Sequence, residues 1–348
     1  MNNSTIKIAR HQAGMTLVEI MVALTISLVL LAGVMQIFLA SKQTYRMQDG
    51  MSRLQENARF ALHFLDQDIR MAGYHGCSSK ASLPNNIVDL DGDGTADSVS
   101  DFSTDGLTGY ESSQLPIALS ATDSLTAAEV VPNTDIIVLI RGTNKNVQLT
   151  GNMTADNANI QLAASAAGLF SPSDILFISD CETADVFAAN NVSNGGTITI
   201  AHSSSVNTGP KLSKAYGTDA SIMAMEKSAY YVGTNASGVP ALFRKRMVGA
   251  NMVTEELIEG VESMQLEYGE DLTSDGLANR YTNATGVTNF ANVVSVRIGL
   301  LMRSAEEVVH DTDTNTYDVL DVTVDPTDDR RLRRNFTTTV KLRNRGEI

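Results

Sequence analysis

From Ile20 to Ala40 the chain carries no charged side chain. Those 21 residues, at about 1.5 Å each, make roughly 31 Å of helix, enough to cross the hydrocarbon layer of a bilayer. Lys7 and Arg10 precede the run with no acidic residue among residues 1–14. That polarity puts the N terminus on the cytoplasmic side and everything after Ser41 across the membrane. A secretory signal peptide would have a shorter apolar core ending in small residues, and a core helix of a soluble domain is seldom so uniformly apolar. A plain membrane anchor fits the length, but Glu19 at the head of the run is costly in lipid unless it finds a partner.

Past the membrane the pattern becomes periodic. Met47, Met51, Leu54, Ala58, Ala61, Leu65, Ile69 and Ala72 recur at intervals of three and four, one stripe of a continuing helix. Arg53, Glu56, Arg59, Asp66, Asp68 and Arg70 fall mostly on other faces, Gly73 is the expected stop, and Gly50 is expected to allow a bend. The remainder alternates with period two. Val294, Val296, Ile298, Leu300 and Met302 share one strand face, as do Phe336, Thr338, Val340 and Leu342, and Met264, Leu266 and Tyr268. Ile136–Ile140 and Ile175–Ile178 are continuous apolar runs suited to strands buried on both faces. The pattern predicts an α+β fold: a long N-terminal helix, membrane-spanning in its first half, packed on an antiparallel β-sheet domain. Segments rich in Asp, Gly, Ser, Asn and Thr at 81–115, 142–173, 189–219, 269–292 and 311–329 read as loops.

Composition narrows the function classes. With 348 residues, 43% hydrophobic and 19% charged, the chain is of ordinary globular make-up. Its net charge of −14 opposes a nonspecific grip on nucleic acid, and no specific nucleic-acid partner is expected. The basic cluster Arg330, Arg331, Arg333 and Arg334, with Lys341, Arg343 and Arg345, is expected to be a solvated strand face or a contact with an acidic neighbouring subunit. No Gly-x-Ser-x-Gly, His-Glu-x-x-His or Walker A pattern occurs, so no catalytic residue is named.

Gly14-Met15-Thr16-Leu17-Val18-Glu19, followed by the apolar run, resembles the processing site of type IV prepilins and type II secretion pseudopilins. Met15 stands where that family often has Phe, and the helix lacks the proline of many major pilins. The segment SRLQENARFALHFLDQDIRMAGYHGC ending at Cys77 is similar to the second signature of PilW-type minor pilins. RRLRRNFTTTVKLRNR, from Arg330 to Arg345, and SDILFISDCETADVF, from Ser173 to Phe187, are similar to that group as well. The resemblance implies a type IV pilin-like fold divided into a leader peptide at 1–14, a transmembrane and assembly helix at 15–40, its amphipathic continuation at 41–73 and a periplasmic or extracellular β-rich domain at 74–348. It further implies that a prepilin peptidase cuts after Gly14, that the new amine on Met15 is methylated, and that Glu19 pairs with a neighbour's terminal ammonium during assembly. On this reading the chain is a non-catalytic minor pilin that sits in the inner membrane as a single-pass protein and then enters the pilus. Its partners would be the peptidase, other minor pilins and the major pilin, with inner-membrane lipid around it before assembly. The alternatives are a minor pseudopilin of a type II secretion system and a membrane-tethered, calcium-dependent adhesin or binding module.

Two features lie outside that resemblance. Cys77 and Cys181 are the only cysteines, and the expected topology places both in an oxidising compartment, so a disulfide is the leading reading. Asp89, Asp91, Asp93 and Asp97 recur around Gly92 and Gly94, a spacing that delivers several hard oxygens to one point and suits calcium, the one cofactor considered and not a required one. The loop departs from an EF-hand at its twelfth position, Ser100, and competes with a solvated acidic turn. Asp271, Thr273, Asp275, Gly276 and Asn279 form a weaker echo.

Overall fold

The computed structural model describes residues 14–74, 84–97, 106–120, 123–143, 145–248 and 251–344. One uninterrupted helix spans Leu17–Met71, 55 residues and about 83 Å. Thr16 caps its start in an extended conformation. Gly50 does not interrupt the helix. It sits instead where the chain after the Val293–Glu307 strand crosses the helix, and a Cβ there would stand 3.2 Å from Val308 Cγ2.

The far end of the helix is closed by the last residues of the chain. The final carbonyls of a helix need outside donors, and the Asn344 side-chain amide reaches the carbonyls of Met71 and Ala72 at 3.3 and 3.2 Å. The Arg343 amide donates to the Arg70 carbonyl, and Gly73 and Tyr74 pair with Ile140 and Gly142 of the Asp135–Gly142 strand.

Two sheets carry the helix. A four-stranded antiparallel sheet is ordered Arg280–Thr282, Val261–Glu270, Val293–Glu307, Arg331–Lys341, with Leu266 beside Ile298 and Ile298 beside Thr338. A nine-stranded sheet is built around Ser221–Thr234, which pairs along its length with Asp135–Gly142, Val147–Gln148, Ile175–Ser179 and Pro240–Val248. Leu54, Ala58, Ala61, Leu65, Ile69 and Ala72 of the helix share one core with Ile137, Leu139, Tyr230 and Leu242 of the larger sheet and Met264, Leu266, Val296 and Ile298 of the smaller. The two apolar runs are buried on both faces, as their composition predicts. Ile137 and Leu139 enter the helix core while Ile136 and Val138 enter a second cluster behind the sheet. Leu176 and Ile178 face a distal cluster, and Ile175 and Phe177 face another.

Several expectations are corrected. The stripe begins to bury only at Leu54: Met47 is 42% exposed and Met51 half-buried, although Glu306 and Val308 reach the helix at Arg46 and Gln43. Val294 does not join its face in the helix core. A bulge opposite Gly269 and Glu270 shifts the register and seats Val293 there instead. Part of the expected loop sequence is strand: Leu107–Glu111 joins the larger sheet, and Ile160–Ala163, Asn191–Asn194 and Thr197–Ala201 make a three-stranded sheet of their own. One strand pair, Asn85–Asn86 with Asp185–Val186, is parallel.

Candidate functional site

The head of the helix combines an open backbone with a locally satisfied carboxylate. Where a Cβ would stand on Gly14 nothing lies within 4 Å, so no packing among the described residues requires glycine there. Thr16 and Glu19 form a capping box: the Glu19 amide donates to Thr16 Oγ1 at 3.3 Å, and Glu19 Oε2 accepts from the Thr16 amide at 2.9 Å and from its hydroxyl at 3.0 Å. Beyond it, Met15 and the large apolar side chains up to Leu39 are exposed. This is the one helix among the described residues long and apolar enough to cross a membrane, and none of its most apolar window is covered by the rest of the chain.

The opposite end of the helix is anchored by a charge cluster that the stripe did not reveal. Asp68, expected on an outer face, is only 6% exposed. The Tyr230 hydroxyl donates to Asp68 Oδ2, Arg141 reaches Oδ1 at 3.2 Å and Arg244 lies 3.8 Å from Oδ2. Glu226 and Glu255 pair with the outer sides of those two arginines at 3.1 and 2.7 Å. Burial, and then the Asp68 charge, push the Tyr230 phenol far above its ordinary value, so it stays a donor. The spacing did carry a signal: Asp68 is three residues after Leu65 and four before Ala72, on the edge of the stripe.

The basic cluster near the C terminus divides: Arg330, Arg334, Lys341 and Arg343 are exposed, as expected of a solvated strand face, whereas Arg333 is not. The Arg333 side chain is fully buried between Glu262 at 2.7 Å, Asp329 at 2.7 Å and Asp313 at 3.3 Å. Arg330 pairs with Glu307 at 2.6 Å and Arg331 with Asp329 at 3.4 Å. Glu262, Glu307 and Asp313 come from distant parts of the sequence, whereas Asp329 lies beside the cluster, so a local reading left most of these pairings unseen.

The structure brings three of the four aspartates of the acidic loop together. Carboxylate oxygens of Asp89, Asp91 and Asp93 lie within 4.8 Å of one another. Asp89 also accepts the amides of Gly92 at 2.8 Å and Gly94 at 3.0 Å, which holds the turn closed. Asp97 stands apart from the three, buried, with Oδ2 accepting the Leu90 amide at 2.8 Å. Burial first, and the charges of Asp91, Asp89 and Asp93 as well, push the Asp97 carboxyl up against the pull of that amide. The donor set, oxygen only and multiply anionic, fits a hard cation such as Ca²⁺. In the weaker echo, Asp271 accepts the backbone amides of Thr273, Asp275 and Gly276, the arrangement of a self-contained turn. Cys181 lies in the turn after Ile175–Ser179 with φ +75°, and its expected partner Cys77 lies outside the described residues, as do residues 1–13 of the leader.

Comparison with known proteins yields two family matches. Residues 229–344, a third of the chain, match the family model described as Type IV Pilus-assembly protein W, and residues 9–35 match the prokaryotic N-terminal methylation motif. The first covers most of the sheet surface that grips the helix and ends at Asn344, which closes it; the second covers Gly14, Glu19 and most of the uncharged run. The two ends of the chain thus match a PilW-family type IV minor pilin. No curated protein matches the chain. Among solved structures it is similar to the "Type IV-like pilin TTHA1219 from Thermus thermophilus" at 12% identity and a TM-score of 0.35, covering 84% of this chain and 96% of that one.

Proposed function

We infer that this chain is a minor pilin of the PilW type, a non-catalytic subunit that acts with other minor pilins and the major pilin in initiating a type IV pilus. One observation carries the reading: an uncharged helical half that its own domain leaves bare, headed by an accessible Gly14 and a carboxylate at Glu19. Before assembly that surface is satisfied by inner-membrane lipid. Cleavage after Gly14 by the prepilin peptidase would release an ammonium on Met15, four residues from Glu19. Both charges are expensive in lipid, and pairing between neighbouring subunits lowers the cost of each while fixing their register. The apolar halves then exchange lipid for one another as the helices bundle. Deleting the gene should remove surface pili and leave exoprotein secretion intact. Normal pili with failed secretion would instead mark a type II pseudopilin.

We also propose that the Asp89–Asp93 turn binds Ca²⁺ and that Cys77 and Cys181 form a disulfide. A cation would relieve the mutual repulsion of the three gathered carboxylates that also bears on Asp97. Ca²⁺ at about a hundred times its dissociation constant should stabilise the chain by about 2.7 kcal/mol, raising Tm, and Asp91→Ala should abolish the shift. No shift at millimolar Ca²⁺ would end that assignment. For the disulfide, two thiols that react without reductant would reject the bond.

A further inference from the structure

Where the two sheets meet, the buried carboxyl of Asp135 stands beside the half-buried carboxyl of Glu111. Glu111 ends the Leu107–Glu111 strand directly opposite Asp135, the first residue of Asp135–Gly142. Asp135 is 4% exposed, and its Oδ2 accepts the Leu266 amide at 2.7 Å, the donor belonging to the four-stranded sheet. The Glu111 carboxyl accepts the Gln114 amide, yet its Oε1 is buried with no hydrogen-bond partner. Beside them the Tyr268 hydroxyl, also from the four-stranded sheet, is buried without a partner against Gly109, where a Cβ would come within 2.1 Å of it.

Two ionised carboxylates at this spot would repel each other, with the buried Glu111 Oε1 left without a donor. A single proton removes both problems: an Asp135 Oδ1–H donating to Glu111 satisfies the empty acceptor and halves the charge, while Oδ2 keeps its bond to Leu266. We propose that Glu111 and Asp135 share one proton, and that this proton latches the nine-stranded sheet to the four-stranded sheet, so that the joint is tight in acid and loosens as pH rises.

The surroundings agree in sign. Burial first, and the Glu111 charge second, push the Asp135 carboxyl up to about 8, against the Leu266 amide, which favours the charged form; Asp321, from the turn after Tyr317–Val319, adds to the rise. From the smaller sheet Tyr268 faces the pair as a neutral phenol held above its ordinary value, mainly by burial. A carboxyl whose folded value is raised takes up a proton that the unfolded chain has already released. Its contribution is therefore complete below the unfolded value near 4 and is lost as pH climbs toward about 8.

The test is unfolding of the full chain in detergent across pH 5 to 9, with infrared spectroscopy of its carboxyl groups. The folding constant of the wild type should fall by up to tenfold per pH unit from pH 5 to about 8, and level off above it, relative to Asp135→Asn, whose amide donates to Glu111 at every pH. A protonated-carboxyl band should persist at pH 7 in the wild type and vanish in Asp135→Asn. Should that variant fail to fold, Glu111→Gln serves in its place, since it removes the anionic partner and should make the band disappear at a lower pH than in the wild type. Equal pH slopes in wild type and variant, or no such band at pH 7, would overturn the proposal. So would stabilisation at alkaline pH that EDTA removes, which would put a metal ion where the proton is assigned.

Discussion

Between Met15 and Leu39 the helix presents large apolar side chains to its surroundings on every face, whereas between Leu54 and Ala72 it buries one stripe against two sheets of its own chain. Both halves belong to one uninterrupted helix. The second half has its partners in the same molecule, so its sequence is striped, and its one buried charge, Asp68, is met by Tyr230, Arg141 and Arg244. The first half has no partner among the described residues, is apolar all round, and among those residues its one charge, Glu19, is held only by its own capping box. An element built for other molecules and an element built for its own fold are told apart by where the partners of the costly groups lie.

That comparison can be broken from either side. The largest effect is expected from Glu19→Ala, which should abolish pilus formation in a complementation assay while leaving the Tm of the β domain unchanged. Restored piliation by this variant would mean that the carboxylate has no assembly role. Next is Leu65→Ala, which opens a cavity between helix and sheets and should cost about 2–5 kcal/mol by denaturant unfolding. A loss well under 1 kcal/mol would show that the second half is not held by packing. Asp68→Ala should cost about 1–3 kcal/mol, because Tyr230 and two arginines lose their common acceptor, though Glu226 and Glu255 remain to pair with Arg141 and Arg244. The smallest is Met47→Ala, within about 0.5 kcal/mol, since that stripe position is largely exposed.

Much of this architecture was legible before any coordinates. The uncharged run, the stripe from Leu54 and the strands buried on both faces depend on patterns local in sequence, and those patterns survive folding unchanged. What was hidden depends on partners distant in sequence. Arg333 reads as a surface charge until Glu262, Asp313 and Asp329 are folded around it. Val293 replaces Val294 in the core because of a bulge that no alternation reveals. The short strands at Ile160–Ala163 and Thr197–Ala201 do alternate, but over too few residues to stand out from Ser- and Asn-rich surroundings. In the acidic loop, spacing gathered Asp89, Asp91 and Asp93 as expected but not Asp97, which folding turned to the Leu90 amide.

The central claim is that the bare half of the helix is made to leave the membrane and enter a filament. Its most direct test is mass spectrometry of the N terminus of this chain, recovered from sheared surface filaments and from the inner membrane of the same cells. The account predicts a methylated Met15 as the first residue, with the protein present in the filament fraction. A chain that keeps residues 1–14, or is confined to the membrane while pili form normally, would contradict it.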